Sequence, residues 1–190
     1  MSGNNGVNIP TGGLSEGEHT VEFYATDMLN TKSSIRLYKF TRISLDSVAI
    51  ELGNPTVVNN NNKFVSSATP ITVKTPYQSL KVQYQIAKAG SSPSDSGWVT
   101  STGNSVTFTM PSTLQDGEYT IFYRTTTGSR SGSVKSINVM LDNTPPEVTV
   151  NVQDGAFLTD SDVITITASD SGSGVAKIFY RIDGGAWVST

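Results

Sequence analysis

One internal repeat, met out of phase, constrains this chain more than any other feature. The last residues read Trp187-Val188-Ser189-Thr190, and those after Met1 read Ser2-Gly3-Asn4-Asn5-Gly6-Val7. Set end to end they give W-V-S-T-S-G-N-N-G-V. The middle of the chain reads Trp98-Val99-Thr100-Ser101-Thr102-Gly103-Asn104-Ser105-Val106, nearly the same sequence with one residue inserted. The 190 residues therefore begin partway through one repeat, pass through a complete one and stop partway through a third. Repetition at this period sets the architecture before any local pattern is read.

The repeat then serves as a ruler. Leu14-Ser-Glu-Gly17-Glu18-His19-Thr20-Val21-Glu22-Phe23 stands against Leu114-Gln-Asp-Gly117-Glu118-Tyr119-Thr120-Ile121-Phe122-Tyr123, with Leu, Gly, Glu and Thr identical at one offset, 114 − 14 = 100. Residues 6–10 match 105–111, each ending in proline. Glu147–Val152 mirrors 47–52, Phe157-Leu-Thr and 163–167 mirror 64–73, and Lys177–Ile182 mirrors 81–86, keeping Tyr84/Tyr180 and Ile86/Ile182. Strands are expected at these segments and at 33–40, 70–74, 118–125 and 133–140. Asn59–Asn62 reads as a solvated turn, or alternatively as an Asn-rich assembly tract. Asp183-Gly-Gly185 is a tight hairpin signal. Pro145-Pro146 stiffens the second joint in an extended form.

Composition narrows the class. Thr, Ser, Val, Ile and Tyr alternate in short runs between Gly, Asn, Asp and Pro clusters, and no helical period extends over ten residues, a pattern that points to all-β sandwiches. The net charge of −3 is too weak to suggest nucleic-acid binding. No apolar run approaches the ~18 residues of a membrane helix, so no membrane insertion is expected, and no signal peptide is recognisable behind Met1. The absence of cysteine removes disulfides, Cys-ligated zinc and thiol catalysis.

Residues 168–187, A-S-D-S-G-S-G-V-A-K-I-F-Y-R-I-D-G-G-A-W, resemble the front half of the immunoglobulin-like tandem repeats of bacterial cell-surface and secreted proteins. Residues 17–30, G-E-H-T-V-E-F-Y-A-T-D-M-L-N, resemble the back half, where an A-x-D-x-x-G-N turn is usual; Asn30 fits it and Leu29 replaces the glycine. The D-N-T-P-P joint at 142–146 is typical of such arrays. The middle repeat departs, with Thr127 in the place of Asp27 and Lys-Thr-Pro-Tyr-Gln-Ser at 74–79 in place of the Asp-Ser-Gly-Ser-Gly loop. The resemblance implies an all-β chain of immunoglobulin-like seven-stranded β-sandwiches, fibronectin type III-like, in an extracellular or cell-surface structural or adhesive role. It names no active site. Tyr119 matches the tyrosine corner of such sandwiches, whose hydroxyl bonds upstream backbone. His19, the lone histidine, holds the same slot. It is a pH switch or metal ligand on one reading, a corner residue with a bonded ring nitrogen on the other. The second is preferred because no other His or Cys stands nearby.

On this reading residues 1–42 are the C-terminal half (strands E-F-G) of one domain, 43–142 a complete central domain, and 143–190 the N-terminal half (A-B-C-C′) of another. Segments this short bury too little surface to fold alone, and each leaves open sheet edges and an uncovered apolar face. An odd strand count sends the two joints out at opposite poles, roughly 25 Å apart or more. Pairing the halves between neighbouring chains, head to tail, is therefore expected, giving rings or filaments by strand complementation. The alternative is an adhesive or carbohydrate-binding module of a larger surface protein or secreted hydrolase, with the split an arbitrary cut in an array.

No catalytic, cofactor or metal residues are assigned, and no enzyme activity is expected: the lone His lacks a nucleophile–acid setting and the carboxylates are scattered in turns. Asp27 and Asp170 are weak calcium candidates, because oxygen-rich loops suit Ca²⁺; capping of their own turns is the plainer role. Trp98 and Trp187 are expected to cover the sandwich core, with sugar stacking as the alternative.

Overall fold

The computed structural model describes residues 6–190. The seam residues Ser2–Asn5 lie outside the described residues. The chain is all-β: the described residues contain strands and turns and no helix, so none long and apolar enough to cross a membrane.

The central unit has two facing sheets. One joins β3 (Ala49–Leu52), β6 (Ile71–Lys74) and β9 (Ser105–Phe108) in the order β3-β6-β9. The other joins β4 (Thr56–Asn59), β5 (Asn62–Val65), β11 (Lys135–Leu141), β10 (Gly117–Thr126), β7 (Lys81–Lys88) and β8 (Val99–Thr100), in that spatial order. Neighbours run antiparallel except β5 and β11, which pair in parallel through Phe64–Met140 and Val65–Leu141. The strands alternate, so inward rows from both sheets meet. Ile71, Val73, Val82, Ile121 and Val139 are buried, and the Tyr84 and Phe108 rings stack across the two sheets at 3.7 Å. Full burial of such a side chain stabilises by about 1.5–3 kcal/mol.

The central unit carries nine ladder segments rather than the seven expected. The two extra are β4 and β5, which flank the Asn-rich turn. Asn60 and Asn61 both adopt positive φ, 48° and 66°, as a two-residue type I′ hairpin turn requires, and Asn tolerates this region well. The surface-turn reading of Asn59–Asn62 therefore holds, and the apolar alternation on either side makes it a hairpin.

The chain enters and leaves this unit at opposite poles. At the entrance Asp46 Oδ1 accepts from the Ser133 amide at 2.7 Å, and the Thr125 hydroxyl donates to the Leu45 carbonyl. At the exit Asp116 accepts from the Asn143 amide at 2.9 Å and the Thr144 hydroxyl at 2.5 Å. Thr125 lies at the end of β10 and Asp116 directly precedes its start. The ten residues of β10 at about 3.3 Å each place the joints roughly 30 Å apart.

The flanking segments form small separate ladders. β1 (Gly17–Phe23) pairs with β2 (Arg36–Arg42). β12 (Glu147–Val150) pairs with β13 (Ile166–Ser169), and β14 (Phe179–Tyr180) with β15 (Val188–Ser189). Four expected strands differ. Residues 6–10 and 157–159 join no ladder, the strand expected at 163–167 lies at 166–169, and the one at 177–182 is reduced to Phe179–Tyr180. A strand needs a partner for its backbone groups, and none of the described segments runs beside the first two.

Candidate functional site

The molecule's unsatisfied surface lies at its two ends. Among the described residues every buried apolar side chain belongs to the stretch Val48–Leu141. Large apolar side chains in the end segments face solvent: Val7 is 85% exposed, Phe23 48%, Phe157 102%, Ile182 71%. Large apolar side chains left in solvent in this number are surface for an interaction.

The N-terminal ladder reproduces β10–β11 in detail. Gly17 and Gly117 open their strands at φ 126° and 143°, a region essentially closed to residues with a Cβ. The Leu14 amide bonds the Thr11 carbonyl as the Leu114 amide bonds that of Pro111. His19 Nε2 donates to the Ser15 carbonyl at 2.8 Å, and the Tyr119 hydroxyl donates to the Gln115 carbonyl at the same distance and the same four-residue spacing. The corner reading of His19 therefore holds. Across the ladder the sizes are exchanged: Tyr119 faces the small Val139, whereas the smaller His19 faces Phe40 and stacks on it at 5.6 Å. The two pairs offer a similar volume to a core, but only one of them has a core to fill.

The C-terminal ladders reproduce the front of the central unit. β12–β13 follows β3–β6, with the Asn151 amide on the Thr165 carbonyl where the Gly53 amide meets that of Pro70. Tyr180 faces Val188 as Tyr84 faces Val99, and the Thr190 amide bonds the Ile178 carbonyl as the Ser101 amide bonds that of Val82. Asp183 and Gly184 turn the hairpin with φ of 49° and 72°.

Each ladder lacks the neighbour its counterpart has. β6 is bordered by β9, and β7 by β10. Among the described residues β13, β14 and β1 each have one edge with no strand beside it. Hydrogen bonds tie the end segments to the central unit. The Tyr77 hydroxyl donates to Glu16, which pushes the phenol pKa up. Asp142 Oδ2 accepts from the Ser173 amide at 2.6 Å. Gly172 lies so close to that carboxylate that a Cβ there would come within 2.4 Å of it.

The calcium candidates are occupied by their own turns. Asp27 Oδ1 accepts from the Leu29 and Thr31 amides at 2.9 and 2.8 Å, and the Thr31 amide foremost holds its carboxyl below the usual carboxylate range. Asp170 Oδ1 accepts from the Gly172 and Gly174 amides at 2.9 and 2.7 Å. Among the described residues no three His, Asp or Glu side chains gather as a metal would require.

The tryptophans do not cover the core. Trp98 is half-buried on the outer side of its sheet, its ring capped by the Arg124 guanidinium at 4.0 Å. Trp187 carries Arg181 at 4.9 Å and is 63% exposed. A cation over the ring face occupies the surface a sugar would use. Arg124 gave no sign of this in the sequence, because it comes from β10, two strands across the sheet from β8. The joint carboxylates Asp46 and Asp116 were equally hidden, since their partners are distant in the chain.

Comparison with protein-family models, with curated proteins and with solved structures returned no match to this chain.

Proposed function

We propose that this is a non-catalytic, extracellular structural protein of immunoglobulin-like sandwiches. Its chains join head to tail, the C-terminal segment of one taking up the N-terminal segment of the next to complete a domain. One observation carries the reading. The two end segments contain the ladders of complementary halves of the central unit, and their apolar faces are uncovered where the central unit's are buried. The sheet order of the central unit, three strands facing a larger sheet in which a parallel pair joins the first part of that unit to its last, supports the immunoglobulin-like assignment. The separation of the joints favours pairing between chains over closure within one. The partner is thus another copy of the same chain, and the product a filament or a ring.

Size-exclusion chromatography with light scattering on the 190-residue chain tests this. The expected mass is a multiple of 20.2 kDa that grows with concentration. A sharp 20.2 kDa species at every concentration overturns it.

A further inference from the structure

Completing a domain from two chains requires a register, and the central unit supplies one. There Ile121 lies opposite Ile86, Phe122 opposite Gln85 and Tyr123 opposite Tyr84. The offset of 100 that relates Gly17 to Gly117 and the His19 corner bond to that of Tyr119 carries Phe122 onto Glu22. The matched pairs Tyr84–Val99 and Tyr180–Val188 carry Gln85 onto Arg181. A position that is uncharged on both strands in the central unit becomes acidic on one end segment and basic on the other.

We propose that β1 of one chain adds to the open edge of β14 of the next with Glu22 directly opposite Arg181, and that this charge pair selects the register and the partner edge. The inference rests on the split-domain reading above. In this register Val21 meets Ile182 and Phe23 meets Tyr180 on the core side, as their counterparts do in the central unit. The charged pair lies on the outer side, where opposite charges on facing strands attract and like charges repel. Among the described residues neither Glu22 nor Arg181 has an ionic partner, whereas the neighbouring Glu18 is held by Lys39 at 3.3 Å. A slip of one residue turns the apolar row outward and separates the charges. Pairing β1 with another β1 sets the Glu18 and Glu22 row against its own kind. Val7 and Ile9 match Val106 and Phe108 at an offset of 99, the shift set by the inserted residue at the seam, and so come to the open edge of β13, opposite Ala168 and Ile166, as Val106 and Phe108 lie opposite Val73 and Ile71.

The cysteine-free chain makes the test direct. A Glu22→Cys chain is mixed with an Arg181→Cys chain and oxidised, and cross-links are mapped by mass spectrometry. Directly opposite residues have Cα atoms within disulfide range, so a 22–181 disulfide between chains is expected, and a Glu22→Cys chain mixed with Ile182→Cys should give none. Glu22→Arg or Arg181→Glu alone should weaken association roughly 5-fold or more, and the double reversal should restore it. If the wild type assembles but the cross-links map elsewhere, or single reversals leave the mass unchanged, the register is wrong and the split-domain reading stands. If the wild type stays monomeric, that reading fails. The proposal falls with it, and a Glu22→Cys/Arg181→Cys chain that cross-links internally shows the halves closing within one chain.

Discussion

The central unit and the end segments are written in one pattern and folded to different extents. Ile121 and Val21 hold the same place in the same hairpin, yet Ile121 is fully buried and Val21 only half-buried. Local signals alone (the glycine at the strand start, the corner bond, the turn carboxylate) suffice to make each hairpin. They do not make a core. A two-stranded ladder alone is marginal in water, and the hydrophobic term that sustains the central unit comes from the opposing sheet.

The sharpest way to break this comparison is at its centre. Ile121→Ala should cost the central unit about 2–5 kcal/mol in urea unfolding. Val21→Ala should leave that transition within about 0.5 kcal/mol and act on association instead; equal losses at both sites would mean that the end hairpin already shares a core. Next, Gly117→Ala should cost about 1 kcal/mol or more, because its φ of 143° excludes a Cβ while nothing stands within 4 Å to clash. Gly17→Ala should leave the central transition unmoved. Tyr119→Phe removes one corner hydrogen bond and should cost about 1 kcal/mol, whereas His19→Phe should not register in the same transition.

The smallest effect concerns the joints. The Asp46 carboxyl is held below its usual 3.8 chiefly by the Ser133 amide, and that of Asp116 chiefly by the Thr144 hydroxyl. A depressed carboxylate stabilises above its unfolded pKa, and that contribution is lost as pH falls through the lower folded value. Below about pH 4 the amide protection of Ser133 and Asn143 should therefore decline in hydrogen exchange while that of Ile121 persists. Simultaneous loss at all three would show that the joints and the core open together.

Much of this was legible in the sequence because it is local. The turn at Asp183-Gly184, the corner at His19 and the Asx turns at Asp27 and Asp170 each depend on residues within five positions. The β4–β5 hairpin was half visible: the Asn60-Asn61 turn could be recognised, but Thr56-Val-Val and Lys63-Phe-Val are too short to declare themselves strands. What escaped was tertiary. Arg124 reaches Trp98 from another strand, Asp46 reaches Ser133 across 87 residues, and residues 6–10 need a partner strand before their alternation becomes a ladder. The tryptophans were misplaced for the same reason, since the face a ring turns inward is decided by the neighbour that caps it.

The two anchored joints carry one further consequence. Asp46 fastens the incoming chain at one end of β10 and Asp116 the outgoing chain at the other. Tension drawn through the backbone from residue 43 to residue 144 therefore runs parallel to the strands. The ladder bonds are loaded in shear, many at once, and do not peel apart singly. A row of such units pulled from its ends resists as a rope does, lengthwise.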